Sequence, residues 1–185
     1  MRQLSKLVWS TTAALALVVA MGAMSPAAAQ PQVAAGYQFI NASAGGSSTS
    51  IPAGWFADVA VPIGFPMLSV VGSVDGGYKS DNVVSGDSAK THTILGGVRY
   101  SLPASGKMTP FAQVTFGVAH GSYDPGGAGT STSSNEGAVD FGGGIDWGLN
   151  DKWTVRIGAG YRRIMSTPGV NNFRFVAGVV LPIGN

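Results

Sequence analysis

The chain contains two histidines, His92 and His120, and no cysteine. His120 stands two residues before Ser122, and Glu136 opens a later segment. A histidine beside a serine, steadied by a carboxylate, can take the hydroxyl proton and turn the oxygen into a nucleophile toward an ester. The same three residues also read as a histidine in an interfacial belt, a hydroxyl at a loop edge and a solvated acid, and no catalytic residue is assigned. His92 and His120 with Asp87 and Asp124 nearby suggest a metal but match no ligand spacing, so no metal site is assigned. The run Gly126-Gly127-Ala128-Gly129 follows no βαβ strand and opens no helix; it reads as a flexible loop rather than a phosphate cradle. Lack of cysteine removes disulfides, thiol catalysis and thiolate ligands. No cofactor is expected. The remaining groups with chemistry are four acids and four bases, Asp58, Asp75, Asp140, Asp146, Arg99, Arg156, Arg162 and Arg174, each inside an apolar-alternating run. Their chemistry is mutual pairing.

The elements that hold these residues begin after an export signal. Arg2 and Lys6 precede an apolar run from Leu7 to Met24, and Ala27 and Ala29 form an A-x-A cleavage site. Residues 1–29 are expected as a signal peptide and residues 30–185 as one domain. No cysteine lies near the cut, which excludes a lipoprotein anchor. Arg2 and Lys6 are two of eleven basic residues, so nine remain against nine acids and the domain is near neutral. A clustered basic patch for nucleic acid is missing. The 28 glycines show no three-residue period, which rules out collagen. Beyond residue 29 no apolar stretch approaches the ~18 residues of a spanning helix, so any membrane insertion must be by strands.

Period-two alternation fills the domain, and that is the strand signal. Val139 to Leu149 puts Val139, Phe141, Ile145, Trp147 and Leu149 on one face, with Asp140 and Asp146 on the other. Trp153 to Arg162 sets Trp153, Val155, Ile157, Ala159 and Tyr161 against Arg156 and Arg162. Runs from Val33 to Phe39, Trp55 to Ile63, Leu68 to Tyr78, Ile94 to Leu102, Ala112 to Val118 and Phe173 to Ile183 behave alike. Eight strands of about ten residues suit a tilted bilayer crossing. A soluble barrel would hide its apolar face; a membrane barrel reverses this. The narrow bore of eight strands takes the Gly, Ser, Thr and charged face, while the aromatics and β-branched residues are too bulky to crowd inside. No charge falls on the apolar phase except Arg163, at a strand end where it can snorkel. The expected fold is an all-β, eight-stranded antiparallel up-and-down transmembrane barrel.

Connections 42–52, 79–90, 124–136 and 164–171 read as long and polar, and 64–66, 103–108 and 150–152 as short. Short turns face the periplasm in such barrels, which places both termini there. Trp55, Tyr78, Phe141, Tyr161 and Phe173, with Phe39 and Tyr123, are expected near the outer rim, and Tyr100, Trp147 and Trp153 near the periplasmic rim, as aromatic girdles. Inside, Asp58, Arg99, Asp146 and Arg156 form a low layer and Asp75, Asp140, Arg162 and Arg174 a high one. A turn at Asn150-Asp151-Lys152 sets a register that puts Asp146 opposite Arg156, Asp140 opposite Arg162, and Phe141 beside Tyr161. A lumen filled this way argues against an open pore. A narrow or gated conduction path stands as the alternative.

The runs Thr109-Pro110-Phe111-Ala112-Gln113-Val114-Thr115-Phe116-Gly117-Val118, Gly142-Gly143-Gly144-Ile145-Asp146-Trp147 and Tyr161-Arg162-Arg163, with the Leu-Asn-Asp-Lys turn, resemble the outer membrane protein beta-barrel domain family, the OmpA/OmpX-like small barrels. The resemblance covers most of residues 30–185. It implies a Gram-negative outer-membrane protein in contact with the bilayer and lipopolysaccharide, delivered by periplasmic chaperones to the barrel-assembly machinery. It implies a structural or surface-interaction role rather than an activity, and names no surface ligand. Such barrels commonly end in an aromatic residue; this chain ends Leu181-Pro182-Ile183-Gly184-Asn185. Lipid A deacylases, eight-stranded barrels with a similar triad, carry it on their final strands, where this chain has no histidine. A lipid A-modifying enzyme is therefore the least favoured reading, and the chain is expected to be no enzyme.

Overall fold

The computed structural model describes residues 30–65, 67–81, 87–126, 130–150 and 152–183, without the side chains of Asp81 and Asp87. The expected signal peptide, most of the Gly126–Gly129 run and Asp151 lie outside the described residues. Eight strands follow in order: β1 Gln32–Ala44, β2 Ser47–Pro62, β3 Leu68–Asp81, β4 Asp87–Ser101, β5 Met108–Asp124, β6 Thr132–Gly148, β7 Thr154–Ile164 and β8 Val170–Pro182. Each pairs antiparallel with its sequence neighbours, and β1 pairs with β8, closing a barrel with no free edge. The end that carries Gln32 and Pro182 is the base here, and the opposite end the crown.

The two faces of the wall are sharply different. Phe116, Ile157 and Phe175 are 67, 65 and 56% exposed on the outside, whereas Arg156 and Arg162 are 1 and 0% exposed within. A soluble protein does not leave so continuous an apolar skin in water; hydrocarbon must cover it. The skin ends before the crown. On β5 the outward residues run Met108, Pro110, Ala112, Val114, Phe116 and Val118, then His120, Ser122 and Asp124. Beyond Val118 the wall continues as hydrogen-bonded sheet with a polar exterior.

That extension corrects the expected loops. Strands run 11 to 17 residues rather than about ten. The expected loop 42–52 is mostly ladder, reduced to a two-residue turn at Gly45-Gly46 with φ of 56° and 86°. Both values lie in the left-handed region that a type I′ hairpin requires and that glycine supplies. Connections 82–86, 125–131 and 165–169 replace the longer loops expected there. Small polar residues such as Ser47, Ser48, Thr49 and Ser50 carry no apolar alternation, so pattern alone leaves them as loop.

Two local devices set register. Gln38 faces Gly54 but Ile40 faces Ile51, so β2 holds one extra residue at a bulge containing Pro52. Proline has no N–H for the ladder and is tolerated at such a site. The bulge reverses the phase of β2, turning Ile51 inward although Trp55, also odd-numbered, points outward. Tyr37 donates its hydroxyl proton to the Pro52 carbonyl across it. At the base, Asn150 Oδ1 accepts from the backbone of Lys152 at 3.0 Å and Trp153 at 2.9 Å, closing the β6–β7 hairpin. This fixes Asp146 opposite Arg156, Asp140 opposite Arg162 and Phe141 opposite Tyr161.

Candidate functional site

The inward phase gathers two layers of ions along the bore. In the base layer Arg156 grips Asp146 with two parallel bonds, Nε to Oδ1 at 2.7 Å and Nη2 to Oδ2 at 2.8 Å. Its Nη1 reaches Asp58 at 2.8 Å, and Arg99 Nη2 binds the same carboxylate at 3.1 Å. Gln113 Oε1 accepts from Arg99 at 2.9 and 2.6 Å. The Phe111 ring lies 4.6 Å from both the Arg99 and the Arg156 guanidinium, so one aromatic face system serves two cations.

In the crown layer Arg162 meets Asp75 through two bonds of 2.9 and 2.6 Å and Asp140 at 3.0 Å. Arg174 binds Asp140 at 2.5 Å and lies 3.8 Å from Asp75. Gln38 bridges the layer, donating to Asp75 at 3.1 Å and accepting from Arg174 at 3.2 Å. Thr93 donates to Asp75 at 2.6 Å. Each layer contains two acids and two bases and is neutral, the condition under which buried charges are tolerable.

Sequence phase also holds apolar residues that the expected lumen did not include. Ile40, Ile51, Phe56, Val71, Leu95, Phe111 and Val180 all point inward and are buried. The signal for all but Ile51, which the bulge shifts, was present: Ile40 shares the phase of Gln38, Phe56 that of Asp58, Val71 that of Asp75, Leu95 that of Arg99, Phe111 that of Gln113 and Val180 that of Arg174. Leu95, Ala119 and Ala138 pack with Ile164 toward the crown. Ala34, Phe56 and Val180 pack with Val176 toward the base. Between the ionic layers a cavity of about 40 Å³ remains, bordered by Arg99, Phe111 and Asp140. That space suits a few waters at most and is far below a ligand pocket of roughly 300 Å³ or more. An open recess of about 890 Å³ enters from the base as far as Asp146. Arg99 Nη1, Thr115 Oγ1 and Asn172 Oδ1 are buried without a protein partner.

Outside, Trp55, Tyr78, Tyr100, Phe141, Trp147, Trp153, Tyr161 and Phe173 all present large exposed surfaces. Trp153 lies one residue before β7. Tyr161 packs edge-on against Phe173 at 5.3 Å. His120, Ser122 and Glu136 are not brought together. His120 and Asn135 are cross-strand partners and bond at 2.8 Å on the outer wall, which places the next residue, Glu136, on the inner phase. Asp124 accepts from the backbone of Gly126 in its own turn. Among the described residues no three of His, Asp and Glu gather for a metal.

A closed eight-stranded antiparallel wall, apolar outside and ionic within, defines a small outer-membrane barrel. The chain belongs to the outer membrane protein beta-barrel domain family, whose model matches residues 11–181. Three solved barrels are similar in fold. Neisserial surface protein A shares 14% identity over 85% of this chain and 100% of its own, with a TM-score of 0.66. Ail, the attachment invasion locus protein of Yersinia pestis, shares 13% over 82% and 98%, with a TM-score of 0.57. OprG of Pseudomonas aeruginosa shares 9% over 85% and 97%, with a TM-score of 0.57. At such identities the likeness is one of fold alone. No curated protein matches the chain in sequence.

Proposed function

We propose that this chain is a non-enzymatic envelope protein whose bore does not conduct and whose crown meets the outside. The closed bore carries the reading: two neutral ionic layers, one around the buried Arg99 and Arg156 and one around the buried Arg162, with apolar packing beyond them. Asp58, Arg99, Asp146 and Arg156, and Asp75, Asp140, Arg162 and Arg174, act as structural ion pairs that join distant strands. The aromatic residues named above anchor the wall at the two interfaces. The polar extension of β5 and β6 supports an outward crown and periplasmic termini, since such barrels project their longer ends outward. In this orientation the wall contacts lipopolysaccharide, and assembly uses periplasmic chaperones and the barrel-assembly machinery. The separation of Glu136 from His120 supports a non-catalytic role.

Single-channel recording in planar bilayers tests the reading. No steady conductance is expected; reproducible ohmic openings would favour the narrow pore instead. Lipid A species are expected to be the same in cells carrying the native chain and His120→Ala. Because the chain lacks cysteine, Ser133→Cys offers a single thiol at the crown. A membrane-impermeant maleimide should label it on intact cells, and labelling only after lysis would reverse the orientation.

A further inference from the structure

The two histidines of the chain face each other across the β4–β5 ladder. His92 and His120 are direct Cα partners, and Asn135 of β6 is the partner of His120 in turn. Directly opposed residues in an antiparallel pair have Cβ atoms roughly 4.5–5.5 Å apart, a spacing at which two imidazoles can share one ion. Both rings are steadied from the flanks. Asn135 Oδ1 can only accept, so His120 Nδ1 carries the proton in the 2.8 Å bond and Nε2 presents its lone pair. His92 Nε2 lies 3.0 Å from the Tyr78 hydroxyl, whose oxygen also accepts from Trp55 Nε1 at 3.3 Å. The Tyr78 and His92 rings meet edge-on at 5.5 Å. A metal ion selects the tautomer in which Nε2–H donates to the Tyr78 hydroxyl and His92 Nδ1 carries the ligand lone pair. One ring nitrogen held by an oxygen partner and the other free is the arrangement that outer partners impose on metal-binding histidines.

We infer that His92 and His120 form a two-imidazole chelate for a divalent transition-metal ion of the Zn²⁺, Cu²⁺ or Ni²⁺ kind, on the outer wall just above the apolar belt. Imidazole nitrogens favour these ions over Ca²⁺ and Mg²⁺, which prefer oxygen. Two protein ligands leave the remaining positions to water, so the site is open and exchangeable. The bond to Asn135 places the His120 proton on Nδ1, so the lone pair that a cation takes is on Nε2.

The test uses the full barrel, folded in detergent and free of any histidine tag, titrated with ZnCl₂ by calorimetry and with Cu²⁺ by electron paramagnetic resonance. The expected result is one saturable ion per barrel and a Cu²⁺ spectrum with hyperfine structure from two nitrogens. His92→Ala and His120→Ala should each weaken uptake about 100-fold and Asn135→Ala about tenfold, the scale on which outer partners act. Heat-modifiable migration on gels checks that each variant is folded. A Cu²⁺ spectrum without nitrogen coupling overturns the inference, as does a His92→Ala/His120→Ala double variant that titrates like the native chain.

Discussion

Neighbouring residues on β7 separate the inner from the outer wall in one experiment. Arg162 is fully buried and carries three bonds to Asp75 and Asp140, whereas Arg163 faces out and bonds Asn171. Arg162→Met keeps most of the side-chain volume and leaves the crown layer with two carboxylates and only Arg174. Removing one partner of a buried ion pair costs about 3–5 kcal/mol. At 1.4 kcal/mol per decade that is about 10²- to 10⁴-fold in the folded ratio. Arg174 keeps a 2.5 Å contact with Asp140, so the lower half of that range is expected. Arg163→Met should stay within about 0.5 kcal/mol, as for an exposed change. Asp140→Asn combined with Arg162→Met restores neutrality and should be more stable than Arg162→Met alone. Urea unfolding from phospholipid vesicles, followed by tryptophan fluorescence and gel migration, reads all three. Equal losses for Arg162→Met and Arg163→Met, or no rescue in the double variant, would refute the assignment of inside and outside.

Further predictions use the same assay. Phe111→Leu preserves apolar bulk but forfeits both guanidinium contacts at 4.6 Å, and should cost about 1–3 kcal/mol. Gly178→Val brings a Cβ within 2.9 Å of Phe56 Cζ and against the Ala35 carbonyl; the overpacking should cost about 1–3 kcal/mol. Ile157→Arg places a charge on the lipid face in mid-strand and should lose about 2–4 kcal/mol in vesicles.

Strand number, faces and the β6–β7 register were legible because Trp147, Ile157 and Phe175 repeat on one phase and because Asn150 and Lys152 bracket a short turn. Period two survives only where one side of the wall meets lipid. Above Val118 the outward side turns polar and no longer contrasts with the inner side, so the ladder through His120, Ser122 and Ser133 was invisible to that pattern, although Gly45-Gly46 was a readable hairpin signal. Phase assigns eight ionic side chains to the bore but cannot say which acid meets which base across it. The Arg162–Asp75 contact joins strands that are far apart in order. It depends on stagger around the whole cylinder, which no single run encodes. The place of Phe111 between two guanidinia likewise follows from closure and not from local sequence.

The seam between β1 and β8 runs from Gln32 against Pro182 to Ser43 against Asn171. Its two halves are made at opposite times in synthesis, so the cylinder cannot be sealed while the ribosome is still at work. Until the final strand arrives, two raw borders with unpaired amides stay sticky toward any passing strand. Chain closure over such a distance is slow for entropic reasons. Completion of this molecule is therefore a late, single event, and a loss of the last dozen residues would leave an unclosed sheet rather than a smaller barrel.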